Sequence, residues 1–120
     1  YCLGVHEFPP IISRRISEPL QKGQLLSNEP GYYVPKKFGI RLENLMIVEK
    51  VNLNKLNNFL KFKTVSLCHF EMNLINKNLL NKDEIIWINN YHNDVYTNLK
   101  ELLTNEEKKW LKNKTNKILL

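Results

Sequence analysis

Two glutamates, Glu29 and Glu43, each close a run of residues that reads as a β-strand, and only a short turn separates the runs. They lie in the stretches Asn28-Glu29-Pro30-Gly31-Tyr32-Tyr33 and Phe38-Gly39-Ile40-Arg41-Leu42-Glu43-Asn44. Nothing else in the chain constrains the fold as tightly. If the two strands pair, both carboxylates point at one spot. Like charges facing each other across a sheet are destabilising unless a cation lies between them. A metal ion is the usual cation, so this segment reads as half of a metal site.

The rest of the chain falls into place around that pair. Residues 1–8 are apolar and β-prone, and Pro9-Pro10 ends the run because proline cannot donate to a ladder. Residues 11–22 read as an irregular connection, and Gly23 permits a turn into a short strand, Gln24 to Glu29. Pro30-Gly31 is a turn signal, Tyr32 to Val34 is extended, and Pro35-Lys36-Lys37 breaks the chain again. Residues 38–51 read as one strand with Arg41 and Glu43 on one face and Ile40 and Leu42 on the other. A polar loop follows at residues 52–58, then a strand at 59–69. There the apolar phase changes between Leu60/Phe62 and Val65/Leu67, which predicts a bulge near Lys63.

Beyond residue 75 the period becomes helical. Asn81 is a suitable N-cap with Glu84 three residues on, and Ile85, Ile88, His92, Val95 and Leu99 recur at helical spacing. Trp87 and Tyr91 lie on an adjoining stripe. A second capping box, Thr104 to Glu107, opens a helix carrying Trp110 and Leu111. Strands followed by helices make an α+β fold.

The bulk numbers set limits. A chain of 120 residues is one domain or part of a larger one. Because it opens at Tyr1 on a strand already under way, a fragment of a longer protein is expected. The net charge of +6 is spread along the chain, whereas a nucleic-acid binder shows a clustered basic face. The lysines at 108, 109, 112, 114 and 117 read as a solvated helix end, so no nucleic-acid partner is expected. No apolar run approaches the roughly 20 residues that span a bilayer, so no membrane partner is expected either. Cys2 and Cys68 lack the spacing of a zinc knuckle and read as free thiols of a reducing compartment.

Directly opposed residues of an antiparallel pair have Cβ atoms about 4.5–5.5 Å apart. Two carboxylates at that spacing reach a pair of divalent ions about 3.5–4 Å apart. All-oxygen ligation favours hard ions such as Mn²⁺. The plainer reading is two solvated glutamates at strand ends.

The surrounding residues favour the metal. Val5-His6-Glu7-x-Pro9, Leu26-Ser27-Asn28-Glu29-Pro30-Gly31-Tyr32-Tyr33 and Phe38-Gly39-Ile40-Arg41-Leu42-Glu43-Asn44 resemble the C-terminal end of aminopeptidase P, the Xaa-Pro aminopeptidase. That family belongs to the pita-bread metallopeptidases, with methionine aminopeptidase and prolidase. Phe59-Leu60-x-Phe62 to Leu67 is similar to the strand after the site. Leu79 to His92 is similar to the C-terminal extension of the eukaryotic cytosolic form.

The resemblance implies the C-terminal portion of a pita-bread (creatinase/aminopeptidase) fold, with residues 1–70 closing the catalytic domain and residues 71–120 forming a helical extension. It implies a cytoplasmic hydrolase that releases an N-terminal residue preceding proline, using two divalent ions, Mn²⁺ in kind. Glu29 would be a metal ligand that also accepts a proton, and Glu43 the carboxylate bridging both ions. His6 would bind the peptide and stabilise the tetrahedral intermediate, with Arg41 beside the glutamates on the substrate side. Tyr33 is open between lining the cavity and core packing, and Trp87, Tyr91 and Trp110 between helix core and a homodimer contact. His69 and His92 read as packed histidines.

The departures are as informative. The family's ligand set is two aspartates, a histidine and two glutamates, and only the glutamates have counterparts in this chain. Phe8 stands where many members have glycine. The fragment alone is therefore expected to be inactive. Alternatives are a non-catalytic pita-bread binding module, a prolidase acting on dipeptides, and a basic RNA-associated adaptor using the lysine-rich end.

Overall fold

The computed structural model describes Ile12, residues 18–51 and residues 59–119. Two compact units divide the chain, the first ending at Ser66 and the second beginning at Leu67. The expected strand at residues 1–8, the Pro9-Pro10 break, the polar loop at 52–58 and most of the connection at 11–22 lie outside the described residues, and so do His6 and Cys2.

The first unit is built on a long antiparallel hairpin. Strand β1 (Leu25–Asn28) pairs with β4 (Asn44–Lys50), and β2 (Gly31–Val34) pairs with β3 (Phe38–Arg41). The partners run Leu25↔Ile47 to Asn28↔Asn44, then Gly31↔Arg41 to Val34↔Phe38, which is a single register through both ladders. Between the ladders, the Leu42 N–H donates to the Pro30 carbonyl at 3.2 Å. Pro30 has no N–H to return, and there the sheet divides. The single strand expected over 38–51 is therefore two strands, interrupted at Leu42 and Glu43.

At the far end the chain reverses over Pro35 and Lys36, with the Lys37 N–H donating to the Val34 carbonyl at 3.0 Å. Lys36 has φ 59°, and proline followed by a positive φ is the signature of a type II turn. Alternation along β1 and β4 buries Leu26, Met46 and Val48 on one face, together with Asn44.

Strand β5 (Leu60–Thr64) pairs antiparallel with β4 from Lys50↔Leu60 to Met46↔Thr64. Bonds from Val51 N–H to the Phe59 carbonyl and from Val65 N–H to the Leu45 carbonyl extend that register at both ends. The bulge expected near Lys63 is absent, and the strand is shorter than residues 59–69. The apolar phase misled because β5 buries neither face among the described residues. Its lysines instead flank Glu49, with Lys61 at 3.8 Å and Lys63 at 3.5 Å.

The second unit opens with two 3-10 turns, Met72–Leu74 and Lys77–Leu79, capped by the side chains of Glu71 and Asn76. Helix α1 (Lys82–Leu99) follows, then a 3-10 turn at Lys100–Leu102 and helix α2 (Asn105–Lys114). Both helices begin with the expected capping boxes, Asn81 with Glu84 and Thr104 with Glu107. Ile85, Ile88, Tyr91, His92 and Val95 form the buried stripe of α1, and Leu111 that of α2.

The stripe also carries hydrogen bonds to irregular backbone. Tyr91 donates to the Cys68 carbonyl at 2.7 Å, and His92 Nε2 accepts from the Phe70 N–H at 3.1 Å. Asn89 serves both polar groups of Ile118, donating to its carbonyl at 3.0 Å and accepting from its N–H at 2.8 Å. Helix α1 thus pins the chain on both sides of itself and satisfies backbone groups of Cys68, Phe70 and Ile118. Tyr91 belongs to the core, whereas Trp87 and Trp110 are about half exposed, at 47% and 53%.

Candidate metal centre

One more step of the β1–β4 register beyond Asn28↔Asn44 sets Glu29 opposite Glu43. The even-numbered residues carry the ladder bonds, as in Val48 N–H to the Gln24 carbonyl and Leu42 N–H to the Pro30 carbonyl. Glu29 and Glu43 therefore occupy a non-hydrogen-bonded position, where Cα atoms come to about 4.5 Å and side chains are closest. The same face of the hairpin carries Ser27, Gly31, Tyr33, Gly39 and Arg41. The expectation that strand pairing brings the two carboxylates together thus describes the backbone arrangement.

Among the described residues, Arg41 brings a positive charge to Glu29. Its Nη1 lies 2.7 Å from Glu29 Oε2, and its Nε donates to the Tyr33 hydroxyl at 3.1 Å. Ser27 Oγ donates to the other Glu29 oxygen at 2.7 Å. The Glu29 side chain is 17% exposed against 45% for Arg41, so the pair is partly shielded and is worth more than an open surface bridge. The guanidinium pKa is raised above the ordinary arginine value, first by the Tyr33 hydroxyl and further by the charges of Glu29 and Glu43. Among the described residues, Arg41 is the cation seen to pair with Glu29.

Ser27 and Tyr33 complete a row, Ser27–Glu29–Arg41–Tyr33, that was only partly legible. Ser27 is two residues before Glu29, so strand alternation alone puts them on one face. The contact of Tyr33 with Arg41 depends on the register across the tip, which residue type does not reveal. Tyr33 is 59% exposed and so belongs to no core among the described residues.

The donors at hand are oxygens, opposed and facing one way, which suits a hard divalent ion. By themselves they would be one wall of such a site. Among the described residues no group of three or more His, Cys, Asp and Glu side chains is placed to hold a metal. His69 sits edge-on against Trp110 at 5.2 Å and His92 is fully buried, both in the second unit. The lysines of α2 serve local contacts, Lys108 to Glu101, Lys112 over the Tyr96 ring and Lys114 to Glu71. No described helix is long and apolar enough to cross a membrane.

Residues 1–50 match the model of metallopeptidase family M24, and residues 58–118 match that of the C-terminal region of peptidase M24. The chain belongs to the M24 metallopeptidase family. It is 46% identical over 120 residues to Xaa-Pro aminopeptidase 1 of Dictyostelium discoideum, covering 92% of this chain and 19% of that protein. It is 40% identical over 128 residues to the "Probable Xaa-Pro aminopeptidase P" of Coprinopsis cinerea, covering 98% of this chain and 20% of that one.

Among solved structures it resembles X-prolyl aminopeptidase from Caenorhabditis elegans, described as a cytosolic enzyme with a di-nuclear active site. The TM-score is 0.76 at 36% identity, covering 82% of this chain and 17% of that chain. The fold is thus the C-terminal portion of a pita-bread fold, α+β in class, antiparallel strands followed by helices. The chain spans about a fifth of the length of the curated relatives it matches.

Proposed function

We propose that this chain is part of an Xaa-Pro aminopeptidase, a hydrolase that releases the N-terminal residue preceding proline from a peptide. The observation that carries the reading is the opposition of Glu29 and Glu43 in a continuous register, with Arg41 beside them. Glu29 and Glu43 are the ligands this chain offers to two divalent ions, which we take to be Mn²⁺. When bound, such ions supply a hydroxide nucleophile near neutral pH and polarise the scissile carbonyl.

The chain's own groups do the rest. Glu29 would accept the proton of the attacking water, and its contacts with Ser27 and Arg41 orient the carboxylate for that task. Glu43 would be the ligand shared by the two ions. Arg41 balances the local negative charge and lies on the substrate side. His6, outside the described residues, binds the peptide and stabilises the oxyanion of the tetrahedral intermediate. Residues 1–70 close the catalytic domain and residues 71–120 form its helical extension, with Trp87 and Trp110 offered to a homodimer contact. The location is cytoplasmic, in keeping with the cytosolic relative.

The test uses the full-length protein, stripped with a chelator and reloaded with Mn²⁺. Cleavage of an Xaa-Pro tripeptide should return with the metal and be abolished by Glu43→Gln. Cleavage confined to Xaa-Pro dipeptides would make it a prolidase, and intact folding with neither metal binding nor cleavage would make it a binding module. The isolated 120-residue chain should show no Mn²⁺-dependent cleavage, since three ligands have no counterpart in it.

A further inference from the structure

We propose that Tyr33 is a positioning residue that holds Arg41 against the carboxylate pair, and that Gly31 and Gly39 are bare in order to seat its ring. This rests on the reading of Glu29 and Glu43 as metal ligands. The register pairs Gly31 with Arg41 and Tyr33 with Gly39, so all four residues share the face of the two glutamates. The Tyr33 ring lies lengthwise over this face. A Cβ added at Gly39 would come within 2.5 Å of Tyr33 Cδ1, and one added at Gly31 within 2.6 Å of its hydroxyl oxygen. Any side chain at either position would lift the ring off the sheet.

Lying there, the ring delivers its hydroxyl to Arg41 Nε while Nη1 of the same guanidinium meets Glu29. The fork is thus held at both ends. An arginine held at one end keeps side-chain freedom that must still be lost when it is ordered. Tyrosine, with two side-chain torsions, orders at lower cost. The arrangement spares Arg41 that ordering at the moment the carboxylates take up a cation.

The experiment measures Mn²⁺ affinity of the chelator-stripped full-length protein by calorimetry, with kcat and KM of the reloaded enzyme alongside. Outer-shell partners of metal ligands typically contribute 10–100-fold, so Tyr33→Phe should weaken Mn²⁺ binding by about tenfold. Gly39→Ala, which leaves Tyr33 and Arg41 in place but displaces the ring, should match it. In an Arg41→Lys background, Tyr33→Phe should cost nothing further, because Tyr33 acts through Arg41. Unchanged affinity in Tyr33→Phe, a lowered melting temperature without weaker metal binding, or fully additive losses in the double variant would each overturn the assignment. A wild type that binds Mn²⁺ and cleaves peptide beside an indifferent Tyr33→Phe would sink this inference alone. A wild type that binds no Mn²⁺ would sink the proposed function with it.

Discussion

His92 is fully buried and makes a single hydrogen bond, accepting at Nε2 from the Phe70 N–H. An accepting Nε2 puts the proton of the neutral ring on Nδ1, which has no hydrogen-bond partner among the described residues. A second proton would have to enter an apolar surround facing His69. Burial is the first cause that lowers the His92 pKa below its ordinary 6.5, and the charge of His69 the second. The folded chain therefore refuses a proton that the unfolded chain accepts. Stability is full above pH about 6.5, falls as pH drops toward the lowered folded value, and levels below it. His92→Gln keeps a side-chain acceptor and removes the titration, so the melting temperature should lose this slope below about pH 6.5. At this scale the sequence was readable where neighbours are local. Strand alternation alone joins Arg41 and Glu43, whereas the clasp of Asn89 on Ile118, 29 residues away, leaves no trace in residue type.

Capping boxes are the most legible elements of this chain because all their partners lie within three residues. Asn81 accepts from the Glu84 N–H at 2.9 Å, and Glu84 accepts from the Asn81 N–H at 2.8 Å. Thr104 and Glu107 repeat the exchange. Asn81→Ala and Thr104→Ala should each cost about 1 kcal/mol, seen by hydrogen exchange as first-turn amides opening about fivefold more readily. Strand ends were harder. The break at Leu42 and Glu43 has no breaker of its own, because the residue responsible is Pro30 on the opposite strand. The end of β5 was hidden for a different reason. A strand with two open faces has no apolar alternation to read, and Lys61 and Lys63 are positioned by Glu49 across the ladder.

Over the whole molecule, the first unit carries more apolar surface than it covers. Leu25, Tyr32, Phe38 and Ile40 are each more than half exposed among the described residues. Tyr32, Phe38 and Ile40 share one face of the β2–β3 ladder, and an exposed apolar group of this kind suits a surface that packs against something else. The chain spans about a fifth of the length of the curated relatives it matches, so full-length protein is the comparison that tests for a cover. The isolated 120-residue chain should bind a hydrophobic dye and self-associate, and full-length protein at the same molar concentration should do neither. Dye binding equal in the two would contradict this. Overall class was readable from the order of strands and helices, but the extent of uncovered surface was not, since exposure depends on partners the chain does not contain.

The hairpin also works as a ruler with its zero at the two glutamates. A longer tip between Val34 and Phe38 changes nothing at that zero, because every pairing below it is counted from the base. One residue added between Pro30 and Val34 is another matter. It either ruptures one of the two ladders or slides Glu29 across from Asn44, and a slip of one turns a side chain to the opposite face of the sheet. The chemistry of this segment therefore tolerates length at its outer end and none along its sides.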